Sequence, residues 1–127
     1  MRMACPLFSN TLLILSVALS PLAQADESES AFVAAEAGDY ASATAQWNAL
    51  AHSGDPEAQF NLGLMYHSGL GGKVNEPEAV SWYEKSAQNG YTKAQEFLAV
   101  AYREGWFGLQ RDPGKADYWM KRLELAP

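Results

Sequence analysis

Cysteine is nearly absent from this chain of 127 residues: Cys5 is the single example, and it precedes a short apolar run. One cysteine cannot form a disulfide within the chain, and no thiol follows Cys5 that could take part in catalysis. The domain that follows the apolar run must therefore be held together by the burial of its side chains alone.

Positive charge is missing from the first half of the chain. Seven acidic and no basic residues lie between Asp26 and Gly72, and every Lys or Arg other than Arg2 lies at or after Lys73. An acidic protein of this kind repels nucleic acid and anionic lipid, so we expect neither as a partner. We interpret the acidic stretch as a solvated face, and attraction to a basic partner is the alternative.

Long apolar runs are missing as well. The longest, over residues 12–22, has about half of the ~20 residues that a bilayer-spanning helix needs. Arg2 precedes it, and the small residues Ala23 and Ala25 follow it, which together are the three parts of a secretory signal. We therefore predict a cleavable signal peptide over residues 1–25.

Cleavage after Ala25 would leave a single domain of residues 26–127, which is large enough to fold without disulfides. This organisation predicts a periplasmic or secreted protein with no stable membrane insertion. An N-terminal membrane anchor that is never cut is the alternative, and the shortness of the apolar run disfavours it.

An internal repeat of about 36 residues organises the remaining chain. At an offset of 36, seven identities join residues 58–77 to residues 94–113: Ala58 and Ala94, Gln59 and Gln95, Leu62 and Leu98, Tyr66 and Tyr102, Gly69 and Gly105, Gly72 and Gly108, Pro77 and Pro113. After one inserted residue, Ala79 and Trp82 match Ala116 and Trp119 at an offset of 37. A third, eroded unit precedes these, because Ala43, Ala51 and Gly54 lie 36 residues before Ala79, Ala87 and Gly90.

Each unit has the pattern of two helices. Apolar residues recur at helical spacing from Ala58 to Tyr66, and Gly63 on that stripe would let a partner helix approach closely. The glycines at 69, 71 and 72 are predicted to end the first helix with positive φ angles, and Pro77 to begin the second. No strand pattern competes, so we predict an all-α fold of about two and a half to three helix pairs, roughly over 29–54, 55–90 and 91–125.

The repeat resembles the Sel1-like repeat, a relative of the tetratricopeptide repeat. The residues that carry the resemblance are Ala58, Leu62-Gly63, Tyr66, Gly69, Gly71, Ala79, Trp82-Tyr83, Ala87 and Gly90. The resemblance is strong over 58–90, good over 94–122 and weak over 30–54, and Trp106-Phe107 depart from it by replacing small loop residues. It implies an α/α superhelix, a right-handed solenoid whose first helices line a concave face, and an adaptor that binds other proteins.

We accordingly predict an exported interaction module that binds a partner protein or peptide in the cell envelope. We expect the core not to require the polar residues of the first helices, so they are candidates for the binding face: Gln59, Asn61, Gln95, Glu96 and Arg103. Trp106 and Phe107 either fold back over the end of the stack or form an exposed aromatic anchor.

The sequence offers no catalytic constellation, so no enzyme activity, cofactor or metal is predicted. His52 and His67 are 15 residues apart without metal-ligand spacing, and the serines lack a nearby base. Two alternatives stay open: self-association through the exposed ends of a short stack, which would give a homo-oligomer, and, much less favoured, an envelope hydrolase.

Overall fold

A computed structural model of the chain describes residues 21–127, and this part of the chain consists of six α-helices and contains no strand. Residues 1–20 of the predicted signal peptide lie outside the described residues, and the signal and its cleavage site stay predictions. The helices are α1 Pro21–Glu36, α2 Tyr40–His52, α3 Pro56–Ser68, α4 Glu76–Gln88, α5 Thr92–Glu104 and α6 Pro113–Glu124.

The helices form three pairs, and each helix packs mainly against its neighbours in chain order, as in a helical repeat solenoid. The predicted all-α repeat fold is confirmed. The first pair also has two well-formed helices, although its sequence has lost most of the repeat pattern, and α1 begins before the position where the sequence placed it.

Short polar side chains and prolines begin the helices. The side chains that cap helix N-termini by accepting a hydrogen bond from the backbone N–H three residues later are Asp39, Asp55, Asn75 and Asp112. Proline lies in the first turn of α3, α4 and α6, where no amide donor is needed. The predicted role of Pro77 and Pro113 is confirmed.

In the second and third pairs, the first helix ends at a glycine whose backbone is in the left-handed conformation. Gly69 after α3 has φ 71° and Gly105 after α5 has φ 74°. The expectation that Gly71 and Gly72 share this conformation is wrong, since neither has a positive φ. Gly71 is required for a different reason. A Cβ atom there would collide with the Oγ1 atom of Thr44 on α2, so the loop can approach α2 only without a side chain.

The interior is built from repeat positions. Trp47, Trp82, Tyr83, Tyr102 and Trp119 are all buried between helices, as predicted from their place in the repeat. Close approach of α3 and α4 depends on Gly63, because a Cβ atom there would lie 2.7 Å from Cε1 of Tyr83 and 3.2 Å from the carbonyl oxygen of Ala79.

The outer face of α6 differs from the same face of α4. Val80, Tyr83 and Ala87 of α4 are buried. The 37-residue offset places Asp117, Met120 and Glu124 at these positions of α6, and all three are exposed. The last helix of the described stack therefore turns a largely polar face to solvent, as capping repeats do.

Candidate partner-binding surface

A surface of half-buried and exposed aromatic side chains lies between α3 and α5, the first helices of the second and third pairs. We call it the α3–α5 surface, and its members are Phe60, His67, Phe97, Trp106 and Phe107. Phe60 and His67 belong to α3 and Phe97 to α5, while Trp106 and Phe107 come from the loop that follows α5.

Phe107 packs across this surface. Its ring is stacked on Phe97 with centroids 5.1 Å apart and planes inclined by 21°, and it meets the edge of His67 at 4.1 Å. Its backbone has φ 56°, and it is the one non-glycine residue with positive φ in the described part of the chain. Phe107 thus packs between the second and third pairs instead of covering the end of the stack.

Tyr83 of α4 forms the floor beneath the surface. It is fully buried, with its ring centroid 4.4 Å from that of Phe97 and 5.3 Å from that of Phe60. Its hydroxyl and Nδ1 of His67 share a hydrogen bond of 3.3 Å. Burial raises the pKa of Tyr83 well above its usual value, so the hydroxyl stays protonated at neutral pH.

Trp106 stays accessible. Its side chain is 45% exposed. Its one ring contact with the other members of the α3–α5 surface is edge-on to Phe107, with the centroids 6.1 Å apart. It forms one wall of a shallow cleft of about 300 Å³ whose other lining residues are Lys93, Glu96, Phe97 and Val100. The cleft combines an apolar floor with one charge of each sign at its rim. Of the two predicted alternatives, exposure therefore describes Trp106.

The prediction that the core does not require Gln59 and Gln95 is wrong. Both are 4% exposed. Nε2 of Gln59 donates to the carbonyl oxygen of Ala51 at 3.1 Å, and Nε2 of Gln95 donates to that of Ala87 at 2.9 Å. Each glutamine bonds a carbonyl in the last turn of the preceding helix, which also accepts from the backbone N–H of Gly54 or Gly90, so the same contact joins consecutive helices in both units.

The other polar candidates divide between interior and surface. Asn61 is 7% exposed, and its Nδ2 has no hydrogen-bond partner among the described residues. Glu96 and Arg103 are exposed on α5, and only Glu96 lines the cleft beside Trp106. The predicted residues that the structure brings together at one accessible site are therefore Glu96 and Trp106, while Phe107 packs against Phe97 beside it.

Phe60, Phe97 and Val100 were missed because the sequence was read at repeat positions. The two phenylalanines are 37 residues apart, so neither has an aromatic counterpart at the 36-residue offset. An apolar residue on a first helix that faces a polar residue at the 36-residue offset is the signal that could have found the two phenylalanines, whereas Val100 matches Leu64 and breaks no pattern.

Titratable and metal-binding chemistry is sparse in residues 21–127. No group of three or more His, Cys, Asp or Glu side chains in this segment is arranged to hold a metal ion. Nδ1 of His52 donates to the carbonyl oxygen of Asn48 at 2.7 Å, and His67 serves in the aromatic cluster. None of the helices described has the length and apolar character needed to cross a membrane.

Comparison with known proteins gives a family for most of this region. The sequence model of the Sel1 repeat family matches residues 56–91, which contain α3 and α4, and residues 92–123, which contain α5 and nearly all of α6. These two matches cover more than half of the chain.

Two curated proteins resemble parts of the chain. A Rattus norvegicus protein named DAP3-binding cell death enhancer 1 is 44% identical over 52 residues, which are 41% of this chain and 10% of that protein. An uncharacterised protein of Neisseria meningitidis serogroup B is 36% identical over 84 residues, which are 66% of this chain and 17% of that protein. The chain thus spans less than a fifth of the length of these relatives.

Two solved structures have the same fold. A Sel1 repeat protein from Oxalobacter formigenes superimposes with a TM-score of 0.75 at 25% identity, over 80% of this chain and 42% of that one. The c5321 protective antigen of uropathogenic Escherichia coli, which displays an SLR fold, superimposes with a TM-score of 0.69 at 32% identity, over 82% of this chain and 23% of that one.

Proposed function

The chain belongs to the Sel1 repeat family, whose repeats generally mediate protein–protein interaction, and from this premise we propose that it binds a partner protein or peptide on the α3–α5 surface. The partner contacts the cleft beside Trp106, and the chain itself acts without catalysis. The accessible tryptophan is the observation that carries the proposal.

Three features of the cleft support binding there. Trp106 contributes a large, rigid ring that the interior does not use, which is the kind of side chain that dominates binding energy at protein interfaces. Phe97 and Val100 supply a preformed apolar floor beside it, and Phe97 is held in place by stacking on Phe107 with centroids 5.1 Å apart. Lys93 and Glu96 at the rim can pair with charges of either sign and so set the orientation of the partner.

The partner is to be identified by crosslinking in producing cells. A photoreactive phenylalanine analogue placed at position 106 should give a discrete crosslinked product that mass spectrometry identifies, because the side chain lies in the interface. The same analogue at position 118 is the matched control, since Tyr118 is another exposed aromatic, 52% accessible, but lies on α6. Equal products at both positions, or none at position 106, would refute the proposal.

We also propose that the module works outside the cytoplasm, in the periplasm or after secretion. The support is the order of Arg2, the apolar run and the small residues at 23 and 25. The chain purified from culture medium or periplasmic extract should have an N-terminus at Asp26 by mass spectrometry. A chain that keeps residues 1–25 and stays in the cytoplasmic fraction would contradict export.

A further inference from the structure

Two glutamines at equivalent repeat positions have different partners. Gln59 and Gln95 are equally buried, and the Nε2 atom of each donates to the end of the preceding helix. Oε1 of Gln59 accepts a hydrogen bond from Nδ2 of Asn89 at 2.9 Å. Oε1 of Gln95 is buried and has no partner in the part of the chain that the structure describes. A buried acceptor left in this way is unfavourable, so it calls for an explanation.

The cause lies at the end of α6. The 37-residue offset that aligns Trp82 with Trp119 places Ala126 at the position of Asn89, and alanine has no side-chain donor. The helix also ends one residue earlier than α4, at Glu124. The third pair therefore repeats the acceptor of the second pair without repeating its donor.

Gln95 lines a cleft of about 330 Å³ at this place. The other lining residues are Gly90, Arg122, Leu125, Ala126 and Pro127. We call it the Gln95–Arg122 cleft. It lies beside the C-terminal ends of α4 and α6 and shares no lining residue with the cleft beside Trp106.

Arg122 brings a cation that contacts two aromatic side chains of α6. Its Nη1 donates to the hydroxyl of Tyr118 at 3.0 Å, and its guanidinium lies 5.7 Å from the ring centroid of Trp119. A guanidinium has five N–H donors, so most of them are left for an anionic ligand. Leu125 and Pro127 add apolar contact area.

We propose that the Gln95–Arg122 cleft binds a peptide end or an N-acyl amino acid, with an amide N–H donating to Oε1 of Gln95 and a carboxylate pairing with Arg122. The amide takes the place that Asn89 fills in the preceding pair, since both supply an N–H to a buried glutamine oxygen. This site is separate from the α3–α5 surface and does not rest on the function proposed for it.

Three small probes separate the two contacts. N-acetylglycine has both the N–H and the carboxylate, N-acetylsarcosine lacks the N–H, and N-acetylglycinamide lacks the carboxylate. Each is titrated into the ¹⁵N-labelled chain, and shifts of the Gln95 side-chain amide and the Arg122 Nε–H resonances are followed. N-acetylglycine should give saturable shifts of both, and each of the other two should bind roughly tenfold more weakly. Equal binding of N-acetylsarcosine, or no shift with N-acetylglycine, would overturn the proposal.

Variants test the same contacts from the side of the protein. Ala126→Asn should supply the missing donor, so it should raise Tm and abolish the shifts caused by N-acetylglycine. Ala126→Leu has a side chain of the same size without a donor, and it should not raise Tm. Arg122→Gln should weaken N-acetylglycine to the level of N-acetylglycinamide. Unchanged affinity in Arg122→Gln, or the same Tm in both Ala126 variants, would contradict the assigned contacts.

Discussion

At the scale of single residues, Phe107 combines a strained backbone conformation with favourable aromatic packing. Its φ of 56° is the left-handed region, which costs a residue with a side chain about 1–2 kcal/mol. The stacking on Phe97 and the edge contact with His67 offset that cost, since aromatic pairs contribute about 0.5–1.5 kcal/mol each beyond their burial.

Two substitutions separate this strain from the packing. Phe107→Ala keeps the backbone penalty and loses the ring, so we expect it to lower the free energy of unfolding by about 1–3 kcal/mol. Phe107→Gly also loses the ring but relieves the backbone, so it should be about 1 kcal/mol more stable than Phe107→Ala. Urea unfolding of both variants measures the difference, and a glycine variant less stable than the alanine variant would show that strain is absent.

The buried tyrosines predict an alkaline limit to stability. Burial raises the pKa of Tyr83, and burial followed by the hydrogen bond to the Glu84 carboxylate raises that of Tyr102. A raised pKa means that the folded state holds the proton more tightly than the unfolded chain does. Their contribution to stability is therefore complete below about pH 10, the ordinary tyrosine value, and declines as the pH rises above it.

The measurement is the free energy of unfolding between about pH 8 and pH 11, an interval that brackets the ordinary tyrosine pKa of about 10. It should be flat with respect to these groups up to about pH 10 and then fall. Tyr102→Phe has one ionisable hydroxyl fewer, so its stability should fall less steeply above pH 10 than that of the parent chain. An identical slope would show that Tyr102 is not held protonated by the fold.

Residue roles were harder to predict than residue burial. The recurrence of Gln59 at Gln95 was visible in the sequence, but recurrence alone does not tell a ligand contact from a bond to the end of a helix. The geometry decides it, because both amides reach a carbonyl eight residues earlier in the chain. The missing donor at Ala126 became apparent only once Asn89 was seen to bond Gln59.

At the scale of helices, the packing of α3 on α4 depends on the absence of a side chain at Gly63. Glycine in a helix costs about 1 kcal/mol relative to alanine, so Gly63→Ala would be stabilising if propensity decided the outcome. The Cβ atom would instead lie 2.7 Å from the fully buried ring of Tyr83. We expect a net loss of about 1–3 kcal/mol from this overpacking, measured by thermal or urea unfolding.

Gly114 in the first turn of α6 is the control for this variant. A Cβ atom there would meet only Oδ1 of Asp112, at an ordinary 3.4 Å, and the residue does not have a positive φ. Gly114→Ala should therefore leave stability unchanged or raise it by up to about 1 kcal/mol. If both alanine variants had the same effect, close approach at Gly63 would not be what requires glycine.

Helix boundaries in the second and third pairs were largely predictable because local chemistry sets them, whereas the start of α1 was not. Pro77 and Pro113 lie at helix starts and Gly69 follows a helix end, where the sequence alone indicated them. The loop after α5 was not predictable in the same way. Its conformation is set by contacts of Phe107 with residues 10 and 40 positions earlier in the chain, and no local pattern encodes such contacts.

At the scale of the whole molecule, the repeat stack presents three different surfaces. Its first half has no basic residue between Asp26 and Gly72, its middle carries the α3–α5 surface, and α6 closes the described part with a polar outer face. Self-association through the ends stays a prediction. The exposed Asp117 and Glu124 disfavour it at α6, because they stand where α4 has the buried apolar residues Val80 and Ala87.

The fold of residues 21–127 followed from the 36-residue period, since stacked units of this kind need each other to bury their apolar faces. The interaction surface did not follow from it, because its residues are those that break the period. Phe97 and Trp106 stand where Asn61 and Leu70, neither of them aromatic, lie one repeat earlier. Repeat positions therefore encode the scaffold here, and the departures from the repeat encode the proposed function.

The most direct test of binding at the α3–α5 surface is the dissociation constant of the crosslinked partner, measured by calorimetry with purified proteins. Trp106→Ala should weaken binding by roughly 30-fold or more, the effect of losing an interfacial hot spot of about 2 kcal/mol, while unfolding stability stays close to that of the parent chain. Tyr118→Ala should bind as the parent chain does. An unchanged dissociation constant in Trp106→Ala, or an equal loss in Tyr118→Ala, would contradict the account.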